Sequence, residues 1–71
     1  MNREVNPQLT EHQTSVLRLV AEGLTNGQIA CDLGIKERTV EYHVSMIFQR
    51  LEVSSRVAAV VKAQRIGLLD T

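Results

Sequence analysis

Residues 35–51 read IKERTVEYHVSMIFQRL. Wound at about 3.6 residues per turn, this segment puts Val40, Val44, Ile47 and Leu51 in one apolar stripe. Arg38, Tyr42, Ser45 and Gln49 fall on another side. The apolar set has the i, i+4, i+7, i+11 spacing of a helix with one packed face. The polar set donates and accepts hydrogen bonds that no core requires. Such a helix has one side that holds it in the fold and one side available to read something.

Upstream, the chain breaks twice at glycine. Thr10 and Gln13 have the spacing of a capping box, in which two side chains each cover the other residue's backbone N–H. A helix over about residues 11–22 should follow, with Val16, Leu17 and Val20 inward and Gly23 as a left-handed stop. Thr25 and Gln28 repeat the pair. They predict a second helix over 26–33, with Ile29, Ala30 and Leu33 packed and Gly34 ending it. The third helix covers about 37–50, behind Lys36, a poor N-cap. Ser54 and Ser55 can cap a fourth helix over about 55–66, which Gly67 stops. No segment alternates with period two for long enough to be a strand. The expected fold is all-α: four short helices over residues 9–69, after a flexible polar arm or linker end at residues 1–8.

The fourth helix carries two stripes. Ala59, Ala63 and Ile66 form one, and Val57, Val60, Val61 and Gln64 form another, turned well away from it. Either this helix is buried on most sides, or its second stripe meets another chain or domain.

Composition narrows the function classes. At 71 residues the chain is one domain, near the size at which a single core is marginal. With one Phe, one Tyr and no Trp, the core must be aliphatic. A formal net charge of zero argues against a non-specific nucleic-acid binder, which works by bulk phosphate neutralisation. It leaves room for a small basic footprint. A single cysteine, Cys31, excludes an internal disulfide and a multi-Cys zinc site. It should lie at least partly exposed, away from the Ile29 side. His12 and His43 lack a second ligand at helical spacing, so no metal is expected. His43 lies beside the core stripe and reads as a satisfied packing histidine. There is no Ser/His/Asp set, Gly-rich phosphate loop or carboxylate cluster, so neither an enzyme nor a cofactor is expected. No apolar run reaches membrane-spanning length and no signal segment opens the chain. The expectation is a cytoplasmic protein without a membrane partner.

The helices on either side of Gly34 have the length and spacing of a helix-turn-helix, in which the second helix enters the DNA major groove. Small Ala30 would permit close crossing and Val40 would fill the angle between the helices. A generic helical hairpin could show the same spacing. The literal residues go further. LT (9–10), VLRLVAEGLTNGQIA (16–30), LGI (33–35), TVEYHVSMIFQRLEVSSR (39–56) and AQRIGLL (63–69) resemble the DNA-binding domain of LuxR-type transcription regulators.

That resemblance implies a four-helix, sequence-specific DNA-binding domain with the third helix as recognition helix and the fourth as dimer contact. Carried over by position, it assigns base reading to Glu41, Tyr42 and Ser45. Backbone contacts fall to Thr25, Asn26, Arg38, Thr39, Gln49 and Arg50, and the dimer interface to Val57, Val60, Val61 and Gln64. The implied partners are double-stranded DNA, a second copy as homodimer, RNA polymerase, and an N-terminal receiver or sensor domain outside this chain. The chain departs from the family pattern at four places. Glu41 replaces the usual Lys or Arg, and Gly27 a usual Lys. Lys36 replaces the capping Ser, and Glu11-His12-Gln13 stands for Pro-Arg-Glu. Two cations are thereby lost from the expected interface. The alternatives are a protein–protein module with weakened DNA binding, and a domain like region 4 of a sigma factor. RLEVSSR (50–56) and the AQRIGLL ending favour the LuxR-type reading over the latter.

Overall fold

The computed structural model describes residues 8–69. It places four helices in order: α1 (Glu11–Ala21), α2 (Asn26–Leu33), α3 (Glu37–Leu51) and α4 (Arg56–Arg65). Among the described residues there is no strand. Of the expected N-terminal arm, only Gln8 falls within the described residues. Relative to the sequence expectation, α1 stops at Ala21, α3 runs one residue further, to Leu51, and α4, capped by Ser55 as expected, stops at Arg65.

The helix starts are set by side chains. Thr10 Oγ1 accepts from the Gln13 N–H, and Gln13 Oε1 accepts from the Thr10 N–H, both at 3.1 Å. Thr25 and Gln28 make the same reciprocal pair, at 2.9 and 3.2 Å. Ser55 Oγ caps α4 by accepting from the Ala58 N–H at 3.0 Å. Lys36 gives α3 no side-chain cap, so the first N–H groups of that helix stay open.

All four helices end in one way. In each, a residue with positive φ is followed by an apolar residue whose N–H reaches back five positions. Leu24 donates to Leu19, Ile35 to Ala30, Val53 to Phe48 and Leu68 to Ala63, at 2.8–3.2 Å. This is the Schellman pattern, which uses an orphan carbonyl and folds the next side chain onto the helix. Leu24, Ile35, Val53 and Leu68 all pack against the core. Glycine supplies the left-handed residue at Gly23, Gly34 and Gly67, but at the end of α3 it is Glu52, with φ 59°.

The core is aliphatic, as composition requires. Val16 and Leu17 of α1, Ile29 of α2, Val40, Ile47 and Leu51 of α3, and Ala59 and Ala63 of α4 are buried. Val44 and Leu33 are partly buried against them. Helix α3 packs on each of the other three, whereas α2 and α4 do not pack on each other. Each fully buried Leu, Ile or Val is worth about 1.5–3 kcal/mol, and α1 (Val16, Leu17, Val20) and α3 (Val40, Ile47, Leu51) each bury three apolar side chains.

One expectation does not hold. The half-buried His43 ring stacks on His12 of α1, with centroids 5.8 Å apart and planes 23° apart. It meets the edge of Tyr42 as well. These neighbours offer ring faces and edges rather than acceptors, and the buried His43 Nδ1 has no hydrogen-bond partner. The histidine is packed, but it is not satisfied.

Replacing Glu52 by glycine should stabilise the domain by about 0.5–1 kcal/mol, because a Cβ is strained at positive φ. Thermal unfolding should show a midpoint raised by about 2–8 °C. A lowered midpoint would mean that the Glu52 side chain makes a contact worth more than the strain.

Candidate nucleic-acid interface

The exposed side of α3 follows from its buried side. Since Val40, Ile47 and Leu51 must face inward, Arg38, Glu41, Tyr42, Ser45 and Gln49 face outward, and all five are exposed. Tyr42 is the clearest case: it is 60% exposed although it is a large, largely apolar residue. Its ring and that of His43 meet edge to face, with centroids 5.6 Å apart. The five side chains offer a guanidinium, a carboxylate, a phenol, a hydroxyl and an amide. That set can meet both phosphates and base edges.

The N-terminus of α2 lies beside the start of this face. A Cβ built on Gly27 would sit 3.6 Å from Glu37 Oε1. The first turns of α2 and α3 therefore converge, and their open N–H groups and partial positive charges lie close together. Thr25 and Asn26 stand on the α2 side of this junction, and Arg38 and Thr39 on the α3 side. Helix N-termini are natural phosphate contacts. The Glu37 carboxylate sits within the same junction and offsets part of that positive potential.

The structure engages two of the expected backbone-contact residues internally. Arg50 Nη1 donates to the carbonyl of Gln8. Asn26 Oδ1 accepts from Arg56 Nη1 at 2.9 Å, while Arg56 Nη2 donates to the Leu24 carbonyl at 2.7 Å. Sequence reasoning passed over Arg56 as a functional residue. Arg56 closes the RLEVSSR stretch, but nothing local shows what it bonds, because its partners lie 30 and 32 positions away.

The second stripe of α4 lies apart from this face. Val57 is 74% and Val61 45% exposed. Together with Val20, Ala21, Arg56 and Val60 they line a shallow, mostly apolar groove against the end of α1. Val60 and Gln64 are half-buried. Half of the second stripe, Val57 and Val61, is therefore exposed on the single chain. Cys31 is exposed, as expected. Among the described residues, no group of three or more His, Cys, Asp or Glu side chains could hold a metal ion. None of the described helices is long and apolar enough to cross a membrane.

Comparison with known proteins adds an independent view. The family model described as "Bacterial regulatory proteins, luxR family" matches residues 7–63. The chain is 42% identical over 69 residues to the transcriptional activator protein AhyR of Aeromonas hydrophila, covering 94% of this chain and 26% of that protein. It is similar in structure to the transcription factor GerE, with TM-score 0.81 and 32% identity over 87% of this chain and 92% of that one. It is also similar to the DNA-binding domain of the response regulator ComA, whose structure was solved in complex with the anti-activator RapF. There the TM-score is 0.77 and the identity 38%, over 80% of this chain and 98% of that one. The chain spans about a quarter to a third of the length of relatives such as AhyR, AnoR and DesR, and 7% of the length of AlkS.

Gly27→Lys tests the α2–α3 junction. A Cβ there meets nothing closer than 3.6 Å. Replacing glycine within the helix should raise stability by up to about 1 kcal/mol. The added cation should steepen the salt dependence of DNA binding by about one unit of log K per log salt. Denaturation and fluorescence titrations over a salt series measure both. An unchanged slope would place position 27 away from the phosphates.

Proposed function

Because this chain belongs to the luxR family of bacterial regulatory proteins, as a helix-turn-helix DNA-binding domain of the kind found in transcription regulators, we propose that it reads DNA sequence with α3 in the major groove. The carrying observation is the exposed polar side of α3, fixed by its buried apolar side and continuous with the N-terminus of α2. Glu41, Tyr42 and Ser45 face the bases. Glu41 can accept from a cytosine amine, Ser45 can donate or accept, and Tyr42 can cover a thymine methyl. Arg38, Thr39, Thr25 and Asn26 meet the backbone around the junction of α2 and α3. Gln49 and Arg50 contact it at the far end of the helix, where Arg50 exchanges the Gln8 carbonyl for a phosphate.

The exposed Val57 and Val61, with Val60 and Gln64, form the contact to a second copy through α4. Two recognition helices held by that contact would meet half-sites about one helical turn apart. The domain serves as the output end of a longer regulator, whose receiver or sensor domain controls access to α3 or to α4. RNA polymerase is the further partner such a regulator engages. A second reading, a protein–protein module, rests on the same exposed valines and on the two lost cations at positions 27 and 41. The family match favours the LuxR-type reading over region 4 of a sigma factor.

Selection from a randomised duplex library should enrich a defined, two-fold symmetric motif. Arg38→Ala, Tyr42→Ala and Ser45→Ala should each weaken binding to it by about 1–3 kcal/mol. No enriched motif at low salt, with α3 chemical shifts unmoved by DNA, would leave the protein–protein reading in its place. Val57→Glu combined with Val61→Glu should weaken binding to a probe with two half-sites by more than tenfold, and to one half-site by less than about twofold. Equal losses on both probes would argue against the α4 contact.

A further inference from the structure

We propose that Arg56 is a positioning residue for DNA binding, which acts by fixing the orientation of the Asn26 side chain. The inference rests on the DNA-binding reading above and extends it to a residue outside the recognition helix.

The argument begins with the chemistry of the guanidinium. Arginine has only donors, so the Asn26 atom that faces Arg56 must be the amide oxygen. Arg56 Nη1 holds that oxygen at 2.9 Å. Its neighbour Nη2 is held at 2.7 Å by the carbonyl of Leu24, two residues before Asn26. Two bonds from one planar fork fix both the position and the tilt of the guanidinium. The amide plane of Asn26 is fixed in turn, and its NH2 points the other way. Among the described residues that nitrogen makes no hydrogen bond, and it is not among the buried polar atoms that lack a partner. It therefore reaches solvent. Asn26 is the first residue of α2, where the capping box uses the Thr25 and Gln28 N–H groups and leaves those of Asn26 and Gly27 open. The NH2 and these backbone N–H groups form a cluster of donors, the complement of a phosphate oxygen.

The topology makes Arg56 the means of doing this. Helices α2 and α4 do not pack on each other. Yet Arg56, the first residue of α4, spans the gap to the α1–α2 connection. Without it, the Asn26 amide could rotate and present oxygen to the phosphate. Arg56 also borders the groove of exposed valines. The residue that sets the α2 donor cluster therefore belongs to the helix that would hold the second copy.

This role separates from a direct phosphate contact by Arg56. An asparagine–phosphate contact is neutral on the protein side and releases no counterion, whereas an arginine–phosphate contact does. The 71-residue chain and its variants are titrated against the selected duplex over a salt series, well below each thermal midpoint. Arg56→Met should lower affinity about five- to tenfold, with the slope of log K against log salt unchanged. Asn26→Asp keeps the Arg56 contact as an ion pair but turns a carboxylate to the phosphate. It should leave thermal stability intact while lowering affinity more than about tenfold. Asn26→Ala combined with Arg56→Met should be no weaker than the poorer single variant, within about twofold, because both act through one contact. Where Arg56→Met does not fold, Arg56→Lys replaces it in the cycle, with a smaller loss and the same non-additivity. Three results would overturn the proposal: a slope reduced by about one unit in Arg56→Met, additive losses in the double variant, or Asn26→Asp binding as tightly as the unaltered chain. Failure of the unaltered chain to select any duplex would remove the DNA-binding reading itself, and this inference with it.

Discussion

The burial of one stripe on α3 is the constraint from which the rest of the domain follows. Val40, Ile47 and Leu51 are almost completely withdrawn from water, and they are the side against which α1, α2 and α4 all pack. A helix has a single rotational setting that buries such a stripe. The direction of Arg38, Glu41, Tyr42, Ser45 and Gln49 is then not free. Truncating Ile47 or Leu51 would remove about 2–5 kcal/mol, a large share of what a domain this small has in reserve. It would also loosen the orientation of the outward face. Packing and presentation are thus two results of one periodicity, and rigidity of the core is what makes the exposed face a defined surface.

The other helices are too short to stand alone. Helix α2 has 8 residues and α4 has 10, below the roughly 12–15 needed for marginal stability of an isolated helix. Each is held at both ends by local devices. A side-chain oxygen closes the start, and a left-handed residue followed by an apolar one closes the finish. Because the residue after each stop also enters the core, the turns do more than end helices. They aim the chain so that the next helix returns to α3. The repeated 6→1 bond explains how four helices can be joined by such short connections and still share one aliphatic core.

Much of this was legible in the sequence, for a physical reason. Caps, stops and apolar stripes are local, and their partners lie within a few positions. Thr10 with Gln13, Thr25 with Gln28, Gly23, Gly34 and Gly67 all act where spacing placed them. The stop at Glu52 was not legible, because glutamate carries no preference for positive φ. Its only trace is the apolar Val53 that follows. The Arg56 bridge to Asn26 and Leu24 was equally silent, since it depends on tertiary approach across 30 residues or more. His43 shows the limit of periodicity in another way. Its place beside the core was readable, but the stacking on His12 was not, nor was the lack of a hydrogen-bond partner for Nδ1. For the candidate site, Arg38, Tyr42, Ser45 and Gln49 followed from period alone, and Glu41 joined them through the family resemblance. The roles given to its members came from family resemblance, which carries information that a helical wheel does not.

The charge pattern bears on how such a face would work. Gly27 and Glu41 remove two cations from the expected interface, and Glu37 places a carboxylate in the junction of α2 and α3. Loss of phosphate-neutralising groups lowers affinity for all sequences alike, since that part of binding does not depend on sequence. Directional contacts, such as an oriented amide or a base-reading hydroxyl, are less affected. In the proposed complex the balance therefore shifts from attraction toward fit. Specific and non-specific binding fall by the same factor, and each domain holds DNA weakly by itself. A second copy restores affinity without restoring charge, because two linked weak contacts multiply. The exposed Val57 and Val61 supply a physical basis for that second copy. On this account a neutral domain depends on pairing more than a basic one would, and control of pairing by the rest of the regulator becomes control of DNA binding.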